Sequence, residues 1–509
     1  MSPNNRILLN TVSQYGRAVF NTVLSLYSTR IILKALGMSD FGIYAIVGGV
    51  VALLGFITNA LITTTQRYSS YYHGKSDLSY VSRIFGNSLF LHVLVALVLS
   101  AVLLLLQKPV FDGVLNIDIQ RKDTAVYIYY LTVLMLSMTI VTAPFKALCI
   151  ANENIVYISI IEMLDGIMRL ITAFALLDAD MDKLLLYGVL MFCISVLNLF
   201  AFAVFTLTHY RECHILGIAK DIDRGIISRL TGFAGWTTYG MGAIVLRNQG
   251  IALIINHFLG TVVNAAYGIA NQLFGSVSII ATSVINAINP QLMQAEGNGN
   301  RPRMLMLAER ESKFSTMLLM IVLIPVIFEM PSVLRFWLRQ YSMETVMLCR
   351  YIFVAFIFDQ MTYGLNTANQ ALGRIRNYCL LAYTPKLLII PIAWILFHNG
   401  LHLQHVMCVY LIIEILVSIF RIPYIKYTAG LSMVGYVKNV YLPLFPLLLV
   451  QCFVGYMCIS YIQSPYRFLI TIAISIVMGA AAAFFFTINR GERQYLLKTI
   501  NNVMTRLHR

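Results

Sequence analysis

The sequence predicts an all-α polytopic membrane protein of about 14 transmembrane helices, arranged as two six-helix lobes in parallel pseudo-two-fold repeat plus two C-terminal helices. Three observations predict it. Of 509 residues, 59% are hydrophobic and 12% charged, which is too apolar for a soluble chain of this length. Apolar runs of about 20 residues, enough to cross a hydrocarbon core of about 30 Å, recur along the whole chain. The polar pattern of the first hairpin also returns 223 residues later.

In order, the spans fall at 8–33, 41–66, 85–107, 124–147, 155–177, 184–208, 230–256, 262–288, 313–331, 348–372, 378–397, 403–424, 437–461 and 466–487. They group as an N-lobe of helices 1–6 (1–208), a cytoplasmic linker (209–229), a C-lobe of helices 7–12 (230–424), helices 13–14 (425–487) and a basic amphipathic cytoplasmic tail (488–509). No connection is long enough to hold a soluble catalytic domain.

The first span carries Asn10, Ser13, Gln14, Arg17, Asn21, Ser25 and Ser28. Their spacing of three or four places them along one side of a helix. An arginine near the bilayer centre costs about 2.5–3.5 kcal/mol on insertion scales, so this side turns to protein or to a wet lumen. The second span repeats the device with Asn59, Thr63 and Gln66. Leu36, Gly37, Tyr44 and Ile46 fall without a gap on Leu259, Gly260, Tyr267 and Ile269, and Asn59, Thr63 and Gln66 fall on Thr282, Asn286 and Asn289. The cavity set expected from these rows is Arg17, Asn21, Asn59, Thr63, Arg247, Asn271, Thr282 and Asn286. A guanidinium at the depth of Arg17 or Arg247 suits phosphate or another acidic group, because its planar fork grips such oxygens bidentately.

The third and ninth spans each leave the membrane at a proline, Pro109 and Pro331. On the fifth, Glu162, Asp165 and Arg169 share a side, and Asp165 with Arg169 makes an i,i+4 ion pair. On the tenth, Asp359 heads a row with Tyr363, Asn366 and Gln370. Lys386 and Glu414 lie at equal depth on the eleventh and twelfth spans, which predicts a salt bridge. Glu162, Asp165 and Asp359 are the candidates for coupling to H+ or Na+, since buried acids with shifted protonation are the usual coupling groups. The last two spans have no counterpart in the first half, and Gly479 to Ala483 allow close helix packing there. Leu496, Ile500, Val503, Met504 and Leu507 give the tail an apolar stripe for the inner leaflet.

Basic residues concentrate on alternate loops and on both tails, which places both termini in the cytoplasm. They account for the net charge of +15 through topology and anionic lipid, without nucleic acid. There is no GxxxxGK[ST] loop, no HExxH and no paired Cys/His set, so neither an enzyme, a cofactor nor a metal is expected. The 8 cysteines are scattered without a CxxC pair and serve as small apolar fillers.

The segment Arg30-Ile31-Ile32-Leu33-Lys34-Ala35-Leu36-Gly37-Met38-Ser39-Asp40-Phe41-Gly42-Ile43-Tyr44 resembles the R-x(5)-LG-x(2)-[DE]-[FY]-G-x-[YF] link between the first two helices of polysaccharide (O-antigen) flippases. These belong to the multidrug, oligosaccharidyl-lipid and polysaccharide exporter superfamily. The resemblance implies a two-lobed transporter whose first, second, seventh and eighth helices border a cavity. It also implies a substrate, an undecaprenyl-pyrophosphate-linked oligosaccharide, moved by alternating access to the periplasmic leaflet of a bacterial inner membrane for O-antigen, capsule or exopolysaccharide synthesis. Membrane lipid would hold the polyprenyl tail near spans thirteen and fourteen. A multidrug cation antiporter of the same superfamily is the main rival, although arginines in the lumen and the extra helix pair count against it. A membrane glycosyltransferase or polymerase on the same lipid carrier would need a large outer loop, and a non-transporting envelope scaffold is a further alternative.

Overall fold

The computed structural model describes residues 3–52, 54–109, 111, 119–213, 222–338, 341–464 and 466–494. Helices account for nearly all of them. Nine are long and apolar enough to cross a membrane among the described residues, and the bent pair Met343–Gln360 and Tyr363–Leu372 makes a tenth. The predicted first, second, fifth and seventh spans are helical too, and they are the ones that carry the polar rows and the Glu162, Asp165, Arg169 and Arg247 charges. The chain is a multi-pass membrane protein.

The first helix, α1 (Pro3–Ala52), runs through both arms of the first hairpin and is broken inside by Gly37, at φ 77° and ψ 171°. The helix α7 (Arg224–Gly297) is broken in the same way by Gly260, at φ 82° and ψ −179°. This region of backbone space is essentially reserved for glycine. The two residues that align across the internal repeat therefore share one unusual conformation, and the repeat extends to the backbone.

The compact unit formed by residues 8–242 continues with α2 (Gly55–Gly74), α3 (Leu78–Pro109), α4 (Lys122–Ala151), α5 (Ile155–Ala175) and α6 (Lys183–His209). Asn154 caps α5 through Tyr157 N–H, and Asp182 caps α6 through Leu184 and Leu185 N–H at 3.0 and 3.2 Å, satisfying donors that a helix start leaves free. Its core is a set of separate apolar clusters, one of them formed by Ile128, Tyr129, Val133 and Leu184 between α4 and α6.

The second unit joins residues 1–7 to 243–509. After the second arm of α7 come α8 (Arg301–Phe328), α9 (Met330–Leu338), α10 (Met343–Gln360), α11 (Tyr363–Leu372), α12 (Ile375–Leu387), α13 (Ile389–His398), α14 (Leu403–Ala429), α15 (Met433–Tyr436), α16 (Leu442–Tyr461) and α17 (Arg467–Ala482). One continuous apolar core binds these helices together except α12, whose Tyr378 and Ala382 form a separate small cluster with Val417 of α14. The predicted tenth span is two helices bent by 46°, and the eleventh is interrupted at Leu388, three residues beyond Pro385, whose ring and missing N–H disturb the preceding turn.

The extra pair α16 and α17 packs on α8. A Cβ on Gly479 would stand 1.9 Å from the Gln451 amide nitrogen, and one on Gly455 2.7 Å from the Phe328 ring, so both glycines permit contact that no other residue would. Gln451 is fully buried and donates to the Ser475 carbonyl at 2.8 Å. Glu329 is fully buried; the Arg467 guanidinium grips it bidentately at 2.8 and 3.1 Å, and Thr471 and Ser332 donate to it. The apolar stripe predicted for the tail, from Leu496 to Leu507, lies outside the described residues, as does residue 220 of the linker.

Candidate functional site

The polar row of the first span is in large part a packing face, used against α5 within its own unit. Asn10 Nδ2 donates to the Glu153 carbonyl at 3.0 Å, and Asn21 Nδ2 donates to the Glu162 carbonyl at 3.1 Å. The Gly166 backbone lies against Asn21, since a Cβ there would be 2.8 Å from the amide oxygen. This differs from a helix side simply facing water. Residues that look like a lumen lining on one helix are also what a membrane uses to join two helices.

Arg17 remains half-buried at the centre of that row. Its guanidinium pairs with Glu162 and donates to Gln14 Oε1 at 2.8 Å, while Lys146 from α4 reaches the other Glu162 oxygen at 2.5 Å. One carboxylate therefore serves two cations. Asp165 is engaged separately, by Arg169 at 2.6 Å and by Asn198 Nδ2 at 2.7 Å.

The other unit holds a longer chain of alternating charge. Arg247 pairs with Glu414; Lys386 Nζ lies 2.7 Å from Glu414 and 3.3 Å from Asp359; Arg421 lies 2.8 Å from Asp359 and donates to its carbonyl at 3.1 Å. Lys386 and Glu414 thus form the expected bridge. The Arg247 guanidinium stands 4.8 Å above the Tyr410 ring, a further favourable contact for a desolvated cation. These side chains are 3–17% exposed, so Arg247 is held inside its helix bundle rather than on its surface.

Among the described residues, the network in each unit has one more cation than anion. Arg17 and Lys146 share Glu162, and Arg247, Lys386 and Arg421 share Glu414 and Asp359. Inside low-dielectric surroundings such an excess favours a further anion nearby. Sequence reasoning found Arg17, Arg247, Glu162, Asp359, Lys386 and Glu414 singly or in pairs. It gave no partner to Lys146 or Arg421, near the ends of the spans 124–147 and 403–424, and so missed them; the available signal was that both stand within a turn or two of apolar helix.

The polar rows of the second and eighth spans behave alike. Asn59 and Thr282 are exposed at equivalent repeat positions, Thr63 and Asn286 are partly and fully exposed, and Gln66 and Asn289 are 6% and 8% exposed. Thr63 and Thr282 hydroxyls bond back to the Asn59 and Ile279 carbonyls, and Asn271 Nδ2 donates to the Tyr267 carbonyl at 2.9 Å. The duplication therefore preserves which side of each helix is open. Among the described residues no group of three or more metal-ligating side chains is assembled.

At one end of α6, Arg121 joins Asp40 of the glycine hinge segment to Asp182, 2.7 Å away. Partial burial pushes the Asp182 carboxyl up, but the Leu185 and Leu184 N–H groups and the Arg121 guanidinium outweigh it and hold it below the ordinary carboxylate range. At the other end Glu212 is held low in the same sense: burial opposes ionisation, and His73 Nε2 at 3.3 Å and Asn152 Nδ2 at 3.1 Å outweigh it.

No family model and no curated protein sequence matches the chain. Solved structures do. A multidrug resistance MATE family transporter of the MOP superfamily, in an outward-facing conformation, is 12% identical with a TM-score of 0.72 over 86% of this chain and 98% of its own. A MATE structure in a bent conformation is 12% identical with a TM-score of 0.74, over 86% of this chain and 97% of its own. A MOP superfamily transporter from Pyrococcus furiosus, described as having a binding pocket of reversed polarity that suggests a different function, is 11% identical with a TM-score of 0.69 over 84% and 96%. With its paired glycine breaks, its repeated helix order and these matches, the chain has the fold of MOP superfamily transporters.

Proposed function

We propose that this protein is a flippase for an undecaprenyl-pyrophosphate-linked oligosaccharide, moving it from the cytoplasmic to the periplasmic leaflet of a bacterial inner membrane by alternating access. The observation that carries this reading is the surplus of one cation in each unit's charge network, half-buried around Arg17 and buried around Arg247. An anionic group neutralises such a surplus, whereas an organic cation would add to it. Arg17 and Lys146 together can grip a pyrophosphate while Glu162 keeps them oriented, and in the second unit the network of Arg247, Lys386 and Arg421 carries the same surplus. The open polar positions Asn59, Thr63, Thr282 and Asn286 offer hydrogen bonds to sugar hydroxyls, which cannot enter hydrocarbon unpaired. Asn21 and Asn271, both bonded to carbonyls, shape the helices that carry these rows. The resemblance of the Arg30–Tyr44 segment to polysaccharide flippases points to the same substrate.

A multidrug transporter is the second reading, favoured by the neighbours whose names state that activity. Two features argue for the first. The match leaves 14% of this chain uncovered while using nearly all of the neighbour, a length close to that of α15 through the C-terminus. The networks are also basic, and pocket polarity distinguishes the function suggested for the Pyrococcus furiosus relative.

The test is complementation of a flippase-deficient strain with wild type and Arg17→Ala at matched expression, alongside organic-cation efflux from the same cells. Wild type should restore surface polysaccharide. Arg17→Ala should lose about ten- to hundredfold of that activity, the value of one or two charge-assisted hydrogen bonds. Efflux of cations without polysaccharide rescue would replace the proposal with the multidrug reading.

A further inference from the structure

Among the described residues, every buried carboxylate but one faces a basic side chain. Asp40 has Arg121, Glu212 has His73, Glu296 has Arg301, Glu329 has Arg467, and Glu414 has Arg247 and Lys386. Glu311 on α8 is the exception among the described residues. It is fully buried, Thr367 Oγ1 on α11 donates to its Oε1 at 2.7 Å, and its Oε2 has no hydrogen-bond partner.

The surroundings cannot neutralise an ion there. On α8 itself Lys313 is turned to Glu492 at 2.7 Å, Arg310 also faces Glu492, and Glu309 receives Asn439 Nδ2 at 2.8 Å. From the helices packed against α8 come Tyr363 on α11 and Tyr436 on α15, whose hydroxyl donates to the Met361 carbonyl, followed by Tyr441. Asp359 and Arg421, the nearest members of the charge chain, bind each other. Taking a lone carboxylate out of water costs several kcal/mol, and such a group takes up a proton instead. A hard metal cation would ask for six or more oxygens, and the one bonded neighbour here is a hydroxyl that donates.

The partner helix lies between two joints. α11 is bent by 46° from α10 at one end and ends at Gly373, in the left-handed region at φ 78°, at the other. Between those joints it lies directly on α8: a Cβ on Gly364 would stand 2.0 Å from the Ala308 carbonyl oxygen, and Gly364 N–H donates to Ser312 Oγ at 3.0 Å.

We propose that Glu311 is a proton-binding site of the transport cycle, neutral while α8 and α11 are packed as here and ionised when they part. On parting, the O–H bond breaks, the proton leaves to water, and the electron pair stays on the carboxylate. This rests on the chain being a transporter and deepens that reading. Glu162, Asp165 and Asp359 all hold cations that a proton would displace, which leaves the coupling role to Glu311.

Two measurements on the full chain test it. Infrared spectra of the purified protein at neutral pH should show a neutral-carboxyl band that Glu311→Gln lacks; identical spectra overturn the proposal. In proteoliposomes, an imposed pH gradient should shift the transport equilibrium of wild type about tenfold per pH unit for one proton per cycle. The probes are a fluorescent polyprenyl-pyrophosphate-linked disaccharide and an organic cation. Glu311→Gln, which keeps the Thr367 hydrogen bond and should keep the wild-type melting temperature, should equilibrate the probe with no response to the gradient. A normal response in Glu311→Gln, a wild type driven by sodium alone, or a wild type that moves neither probe overturns the proposal. Gradient-driven movement of the organic cation only would sink the flippase reading and leave Glu311 standing.

Discussion

At the scale of single residues, the charges inside the membrane are satisfied in chains rather than pairs. Removing one member of a chain is costly because the remaining ions stay buried without a partner, a loss of about 3–5 kcal/mol. Glu414 is the more buried of the two acids, 5% exposed against 17% for Asp359, and it faces both Arg247 and Lys386. Glu414→Ala should therefore lower the melting temperature in detergent far more than Asp165→Ala, whose partner Arg169 is 47% exposed and can be hydrated. Equal melting temperatures would show the chain to be dispensable. Depth along a helix was enough to foresee the Lys386–Glu414 bridge. It could not foresee that Arg247 joins them, because that requires the rotation of three helices about their axes, and apolar sequence around a charge says little about rotation.

At the scale of elements, the glycine breaks at Gly37 and Gly260 are where the two hairpins turn, and both have open space around them. A substitution there is opposed by backbone strain of order 1–3 kcal/mol and not by crowding. Gly37→Ala and Gly260→Ala should each lower thermal stability by an amount in that range, and the double variant by the sum, since the sites belong to separate compact units. A double variant as stable as wild type would mean that the breaks are incidental. Hydrophobic periodicity and the repeat made these elements readable in the sequence, including the position of the hinge. The bends within the tenth and eleventh spans were not readable, because continuous apolar runs look the same whether a helix is straight or broken. The first span's polar side could be read only as facing protein or a lumen for a related reason: Asn10 and Asn21 bond to carbonyls of α5 or its leading turn, and a polar stripe does not say whether its partner is water or backbone.

At the scale of the molecule, acid should act at both ends of α6. Asp182 and Glu212 have protonation equilibria lowered by folding, so their contribution is complete above their unfolded values near 4 and is lost as pH falls through the lower folded values. Unfolding midpoints should fall as pH drops below about 4, and Asp182→Asn with Glu212→Gln should flatten that dependence; an unchanged profile would place acid sensitivity elsewhere. The composition and the spans disclosed the membrane class and the two-lobed plan, while the charge chains emerged only from coordinates. Equal stretches of sequence separate Gly37 from Asn59 and Gly260 from Thr282, and in both copies the far residue ends up exposed. Helical pitch thus works as a ruler. One alanine slipped into either stretch would swing everything beyond it by about 100°, carrying amides into the greasy flank and valines toward the open one. Neutral drift can rewrite most letters of those stretches, yet it has no freedom to change their length.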